Sequence, residues 1–217
     1  MDFFRKNRKI AELSGCSFLE VKKRARIVVI DDDKNSFPIE LLKKEGYQID
    51  YWEDIEDLSK LDDGYYDIIF LDISGVGLEY SKEEGCGILE HIKKTNPCQI
   101  VVAFSGQSFD LSKNRFWEMA DDSLPKPVDA TRCKEVIDVL LKTKMNPTSY
   151  WMTVAEILKA EGVSNKNLAK VENDVFKAIT NNANKSEIAN IFKKVCQNMN
   201  LVTSLVSAVA KIIALVG

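Results

Sequence analysis

Histidine is nearly missing from this chain: His91 is the only one in 217 residues. Zinc sites built on several imidazoles, and Ser-His or Cys-His nucleophilic catalysis, are therefore excluded. His91 lies in the helical pattern 87–94 and reads as a helix-surface residue. A disulfide framework is lacking as well. The five cysteines, Cys16, Cys86, Cys98, Cys133 and Cys196, are odd in number, widely spaced and form no CxxC pair. That usage fits reduced intracellular thiols. The N-terminus, Met1-Asp2-Phe3-Phe4, gives way at once to charge and has no apolar leader run. The expected location is the cytoplasm.

What is present is ordinary in amount and uneven in distribution. Hydrophobic residues make up 45% and charged residues 29%, as in a soluble globular protein with room for one large or two small domains. The formal net charge is only −3, yet residues 1–26 carry eight bases against three acids. Residues 27–145 carry 14 bases against 25 acids, and residues 146–217 carry eight against five. An acidic middle between basic flanks suits a metal-binding centre and argues against nucleic acid binding there.

Two periods alternate from about 26 to 145. Short apolar runs rich in Ile, Val and Phe at 27–30, 67–71 and 99–104 predict strands buried on both faces, with weaker strands at 47–52 and around Leu124. Helical stretches at 36–45, 54–60, 85–95, 112–120 and 129–143 lie between them. Strands alternating with helices predict a flavodoxin-like, doubly wound, five-stranded parallel sheet. Residues 145–149 read as a linker. Beyond it the pattern is helical at roughly 150–161, 164–181, 184–198 and 199–216, with Ser164 and Ser186 as candidate N-caps. The expected organisation is a basic arm or helix over 1–25 (helical from Phe3 to about Leu13), an α/β domain over 26–145 and a small all-α domain over 146–217.

Polar residues close the apolar runs. Asp31-Asp32-Asp33 follows the first, Asp72 the third and Ser105 the fourth, while Lys126 stands between Pro125 and Pro127. Ligands of open parallel sheets bind beyond the carboxyl ends of the strands, so these side chains are expected to converge on one edge. Clustered carboxylates favour capture of a hard cation by oxygen ligands, and Mg²⁺ suits a site with few carboxylates plus phosphate oxygens. Each residue alone has a blander reading. Asp31–Asp33 can be a solvated turn or helix cap, Asp72 a strand end, Ser105-Gly106 a turn pair, and Lys126 a surface lysine.

Together, the order and the spacings of about 40, 33 and 21 residues resemble the receiver domain of bacterial two-component response regulators, over residues 26–143. The glycine-led segment Gly85-Cys86-Gly87-Ile88-Leu89 is similar to that family's third helix. The resemblance implies a phosphoprotein in a phosphorelay. Asp72 would accept the phosphoryl group, with Asp32 and Asp72 holding Mg²⁺ directly, Asp31 through water, and the Ser74 carbonyl completing the protein ligands. Lys126 and Ser105 would contact phosphoryl oxygens, and catalysis would not extend beyond the protein's own phosphorylation and hydrolysis. The implied partner is a sensor histidine kinase or phosphotransfer protein. A phosphorylation-independent scaffold on the same fold is the alternative.

Two departures stand out. The family's aromatic switch position, three residues before the lysine, holds Ser123, leaving Phe104, Phe109, Phe116 and Trp117 as candidate substitutes or plain core residues. The segment from Ser74 to Glu84 is also longer than the family's usual turn.

The tail is the expected output, acting through protein contacts or as a homodimer. Gly162–Ala169 is faintly similar to the start of a DNA-binding helix-turn-helix, but the next helix lacks a basic face, so nucleic acid is not the expected partner. Residues 199–217 place Leu201, Val202, Leu205, Val206, Val209, Ile212, Ile213 and Val216 at helical spacing. A core or dimer helix is the expectation. Membrane insertion, aided by the basic arm Phe3–Lys9, is the less favoured reading.

Overall fold

Ile27 to Ile30 are all buried, as a strand flanked on both sides and covered on both faces requires. In the computed structural model, which describes residues 8–106 and 114–216, that run is β1 (Arg26–Ile30). With it run β2 (Gln48–Trp52), β3 (Ile68–Asp72), β4 (Ile100–Ser105) and β5 (Asp122–Pro125). All neighbouring pairs are parallel, in the order β2-β1-β3-β4-β5. This is the flavodoxin-like order, with its switch point between β1 and β3. The central strands β3 and β4 are buried throughout, whereas the edge strand β2 buries Ile49 and Trp52 and exposes Gln48 and Asp50. Burial on one or two faces thus follows position in the sheet.

The helices of this unit are α1 (Phe18–Arg24), α2 (Ile39–Lys44), α3 (Leu58–Asp62), α4 (Glu84–Thr95), α5 (Asn114–Met119) and α6 (Ala130–Thr143). On one side of the sheet Phe37 packs on Phe70 and Phe104, with ring centroids 5.0 and 5.4 Å apart. Another cluster joins Val28, Ile69 and Val101 to Trp52, Leu89 and Phe116. Each such fully buried aliphatic or aromatic side chain contributes roughly 1.5–3 kcal/mol of burial free energy.

The second unit is helical: α7 (Pro147–Ala160), α8 (Asn165–Thr180), α9 (Lys185–Lys193) and α10 (Met199–Val216). Pro147 sits in the first turn of α7, where its missing N–H costs nothing, and the Asn146 side chain accepts the Ser149 N–H at 2.9 Å. Ser164 caps α8 by accepting the Asn167 N–H. In α10 the residues Leu201, Leu205, Val209 and Ile212 are buried, and the helix packs on α7, α8 and α9. It is long and apolar enough to cross a membrane by length and composition, and half of it is buried inside the protein.

Several elements differ from the sequence expectation. Divided by contacts, one unit is Phe18–Lys144, and the other joins the segment up to Ser17 with Met145–Gly217. The described part of the N-terminal segment, residues 8–17, therefore groups with the helical unit, and α1 groups with the sheet. Ile10 is fully buried in the helical unit, its N–H donates to Glu172 Oε1 at 3.1 Å, and the Cys16 N–H donates to the Leu215 carbonyl at 2.7 Å. Of the helix expected from Phe3 to about Leu13, residues 3–7 lie outside the described residues, and the described part holds a short 3-10 turn at Ile10–Glu12, followed by α1. The α1 sequence buries only Val21, too little for a periodic signal. The expected helix 184–198 ends as α9 at Lys193, and Asn184, not Ser186, is its cap, in a capping box with Glu187.

Candidate functional site

The carboxyl ends of β1 and β3 bring Asp31, Asp32 and Asp72 together, with one carboxylate oxygen from each lying within 4.8 Å of the others. Strand register causes this. β1 and β3 pair as neighbours through Ile30 and Leu71, so the next residues, Asp31 and Asp72, leave the sheet side by side. Lys126 follows β5 and reaches both, its Nζ 2.6 Å from Asp31 Oδ2 and 2.5 Å from Asp72 Oδ2. The lysine N–H of the backbone donates to the Ser105 carbonyl at 2.8 Å, which places the ends of β4 and β5 together. The ammonium also lies 4.8 Å from the centre of the Phe104 ring. Ser105 is buried at the end of β4, and Ser74 is half-buried two residues beyond Asp72, its N–H donating to Asp72 Oδ1 at 3.4 Å. All six residues singled out in the sequence thus stand at one sheet edge.

The three carboxylates are not equivalent. Asp31 is fully buried and heavily committed. Its Oδ1 accepts the Asp33 N–H at 2.9 Å, and its Oδ2 accepts the Ser36 hydroxyl at 2.6 Å as well as Lys126. Asp72 Oδ1 accepts the Ile73 N–H at 2.7 Å, leaving Oδ2 to the lysine. Asp32 is exposed. Burial pushes the Asp72 carboxyl above the ordinary carboxylate range; Lys126 pulls it down, and Asp31 adds to the rise. Burial works to lower Lys126, but its hydrogen bonds to Asp31 and Asp72 outweigh that and hold it above the ordinary lysine value. One ammonium serving two acids explains why the lysine stays firmly charged while Asp72 is still raised.

This donor set fits a hard divalent cation. Two of the three carboxylates share one lysine, each of the three offers an oxygen as ligand atom, and Asp32 faces solvent. Glycines shape the rim: a Cβ on Gly85 would overlap the Asp72 carbonyl oxygen, and one on Gly75 would overlap Asp32 Oδ2.

Some contributors left no trace in the sequence. Ser36 holds Asp31 from five residues away, and the Tyr51 hydroxyl donates to the Asp31 carbonyl at 2.5 Å from the neighbouring strand. Asp54 accepts the Gly77 N–H at 2.5 Å and the Ile55 N–H at 2.7 Å, tying down the long segment after β3. Ser36 and Asp54 are polar residues that no apolar spacing marks, and Tyr51, though within the run 47–52, is tied to the site only by the pairing of β1 with β2. Of the aromatics considered as replacements for a switch at Ser123, Phe104 and Phe116 are core residues, and Phe116 packs edge-on against Trp117. Phe109 lies outside the described residues.

No protein-family model matches the chain, and no curated protein does. Solved structures do match. The response regulator protein TrrA from Thermotoga maritima, in complex with Mg(2+)-BeF, is 30% identical over 54% of this chain and 98% of its own, with a TM-score of 0.44. The receiver domain of NtrX from Brucella abortus is 28% identical over 54% and 98%, with a TM-score of 0.45. A CheY-like response regulator receiver domain protein from Methanospirillum hungatei JF-1 is 24% identical over 54% and 94%, with a TM-score of 0.46. The likeness is to receiver domains and covers about half of this chain.

Proposed function

We propose that this chain is a two-component response regulator that takes a phosphoryl group on Asp72. The observation that carries the reading is the meeting of Asp31, Asp32 and Asp72 with the Lys126 ammonium at one sheet edge. Asp72 Oδ2 is the nucleophile: it forms the new bond to phosphorus as the donor's leaving group departs with its bonding pair. Lys126 would transfer its contact from Asp72 to an incoming phosphoryl oxygen, and the Ser105 hydroxyl would donate to another. Asp32, Asp72, the Ser74 carbonyl and, less directly, Asp31 would hold Mg²⁺. The ion would neutralise charge that the carboxylates and phosphate otherwise set against each other. The committed hydrogen bonds of Asp31 favour an indirect role for it, and the exposure of Asp32 favours a direct one. Catalysis of this kind is positioning and charge neutralisation, with no further reaction assigned to the protein.

The phosphoryl donor in this reading is a sensor histidine kinase or phosphotransfer protein. The helical unit is the output and acts through protein contacts. The burial of half of α10 supports a packed helix over a membrane-inserted one. With acetyl phosphate and Mg²⁺, wild-type protein should gain one phosphoryl mass and Asp72→Asn none. Undiminished labelling of the Asn variant would move the acceptor elsewhere. No labelling of either, together with no Mg²⁺-dependent fluoroberyllate binding, would favour a phosphorylation-independent scaffold.

A further inference from the structure

Glu84 takes a backbone conformation that residues with a Cβ seldom adopt, φ +53°. Its neighbour supplies the reason. α4 starts so close to the end of β3 that a Cβ on Gly85 would overlap the Asp72 carbonyl oxygen, so the chain must turn sharply at Glu84 to enter the helix. The side chain delivered by that turn is engaged: Glu84 Oε2 accepts the Gly75 N–H at 3.3 Å. Gly75, at φ +81°, lies in turn against Asp32, where even a methyl group would overlap Oδ2. Asp32 is exposed and, among the described residues, has no hydrogen bond or ion pair of its own. The Gly75 backbone is the close neighbour that its carboxylate lies against.

We infer that Glu84 is a positioning residue for the carboxylate site: by fixing Gly75 it limits the orientations of Asp32 and so sets how tightly Asp31, Asp32 and Asp72 take a divalent cation. The inference rests on the cation reading given above. A residue held in an unfavourable conformation persists only where surrounding structure enforces it, and such residues gather at functional sites. Partners that orient metal ligands without touching the ion commonly govern affinity.

A strained positioning residue and a merely structural one make opposite forecasts. Glycine suits positive φ, so Glu84→Gly relieves the backbone while removing the grip on Gly75. Its melting temperature should equal or exceed that of wild type, while Mg²⁺ affinity, measured by calorimetry with the ion alone, should fall about 10-fold or more. Glu84→Gln keeps an oxygen to accept the Gly75 N–H and should lose far less affinity than the glycine variant. Equal losses in the two variants would assign the effect to charge and overturn the positioning role. So would a melting temperature that falls in step with affinity in Glu84→Gly. Wild-type binding left unchanged in Glu84→Gly would remove this inference alone. Failure of wild type to bind Mg²⁺ would remove the cation reading and this inference with it.

Discussion

At the scale of single residues, Lys126 carries the largest burden. Its ammonium contacts two buried acids, and its own side chain is only 17% exposed. Removing one member of a buried ion pair leaves an uncompensated charge, which costs about 3–5 kcal/mol. Lys126→Met should therefore lower the urea midpoint by the equivalent of about 3 kcal/mol, the low end, since the ammonium has some contact with water. Mg²⁺ should stabilise the variant more than wild type, because it replaces the missing positive charge. Equal Mg²⁺ stabilisation of both proteins would show that the lysine and the cation do not share these carboxylates. Asp31, Asp32, Asp72 and Lys126 were legible because the acids follow apolar runs and the lysine stands between two prolines. Ser36, Tyr51 and Glu84 were not, because they act across turns and between strands, where no spacing rule links donor to acceptor.

Among the elements, α10 was the ambiguous one. Its sequence raises a bilayer span beside the expected core or dimer helix, because both bury a long apolar surface. In the structure it is the helix on which α7, α8 and α9 pack, with Leu205 wholly enclosed. Leu205→Ala should lower stability by about 2–5 kcal/mol, seen as a lower denaturation midpoint. The intact protein should stay in the supernatant when sedimented with liposomes, and its transfer to the pellet would contradict the packed reading. Strong, long periods such as α6 to α8 and the central strands could be read from the chain. Short elements with one buried residue, such as α1, could not. The break between α9 and α10 was legible, and α10 begins at Met199 as expected, but α9 ends at Lys193 rather than 198 because residues 194–198 leave the helix without glycine or proline.

For the molecule as a whole, alkaline pH is the informative stress. Burial, then the hydrogen bond to Asp138, raises the Tyr47 phenol from 10.0 to about 12. Burial raises the Cys133 thiol from 9.0 to about 12. Both folded values exceed the unfolded ones, so their stabilisation is complete below pH 9, begins to fade between 9 and 10, and is gone once pH passes about 12. The urea midpoint should hold steady up to pH 9 and fall steadily above it. Tyr47→Phe should flatten part of that slope, and a slope unaffected by the variant would place the sensitive groups elsewhere. The Tyr47 bond also ties the start of β2 to α6 at 2.5 Å, across 91 residues of sequence.

Periodicity in the chain determined the parallel sheet, the helical tail and the kind of residue that ends each strand, because buried strands and amphipathic helices write their environments into neighbouring positions. Tertiary structure decided which carboxylates share the lysine, and that the segment from Arg8 to Ser17 serves the helical unit rather than the sheet that follows it. It also decided that α4 presses on the end of β3 hard enough to demand a glycine and bend Glu84. Those outcomes depend on distances between residues far apart in sequence, and no local pattern encodes such distances.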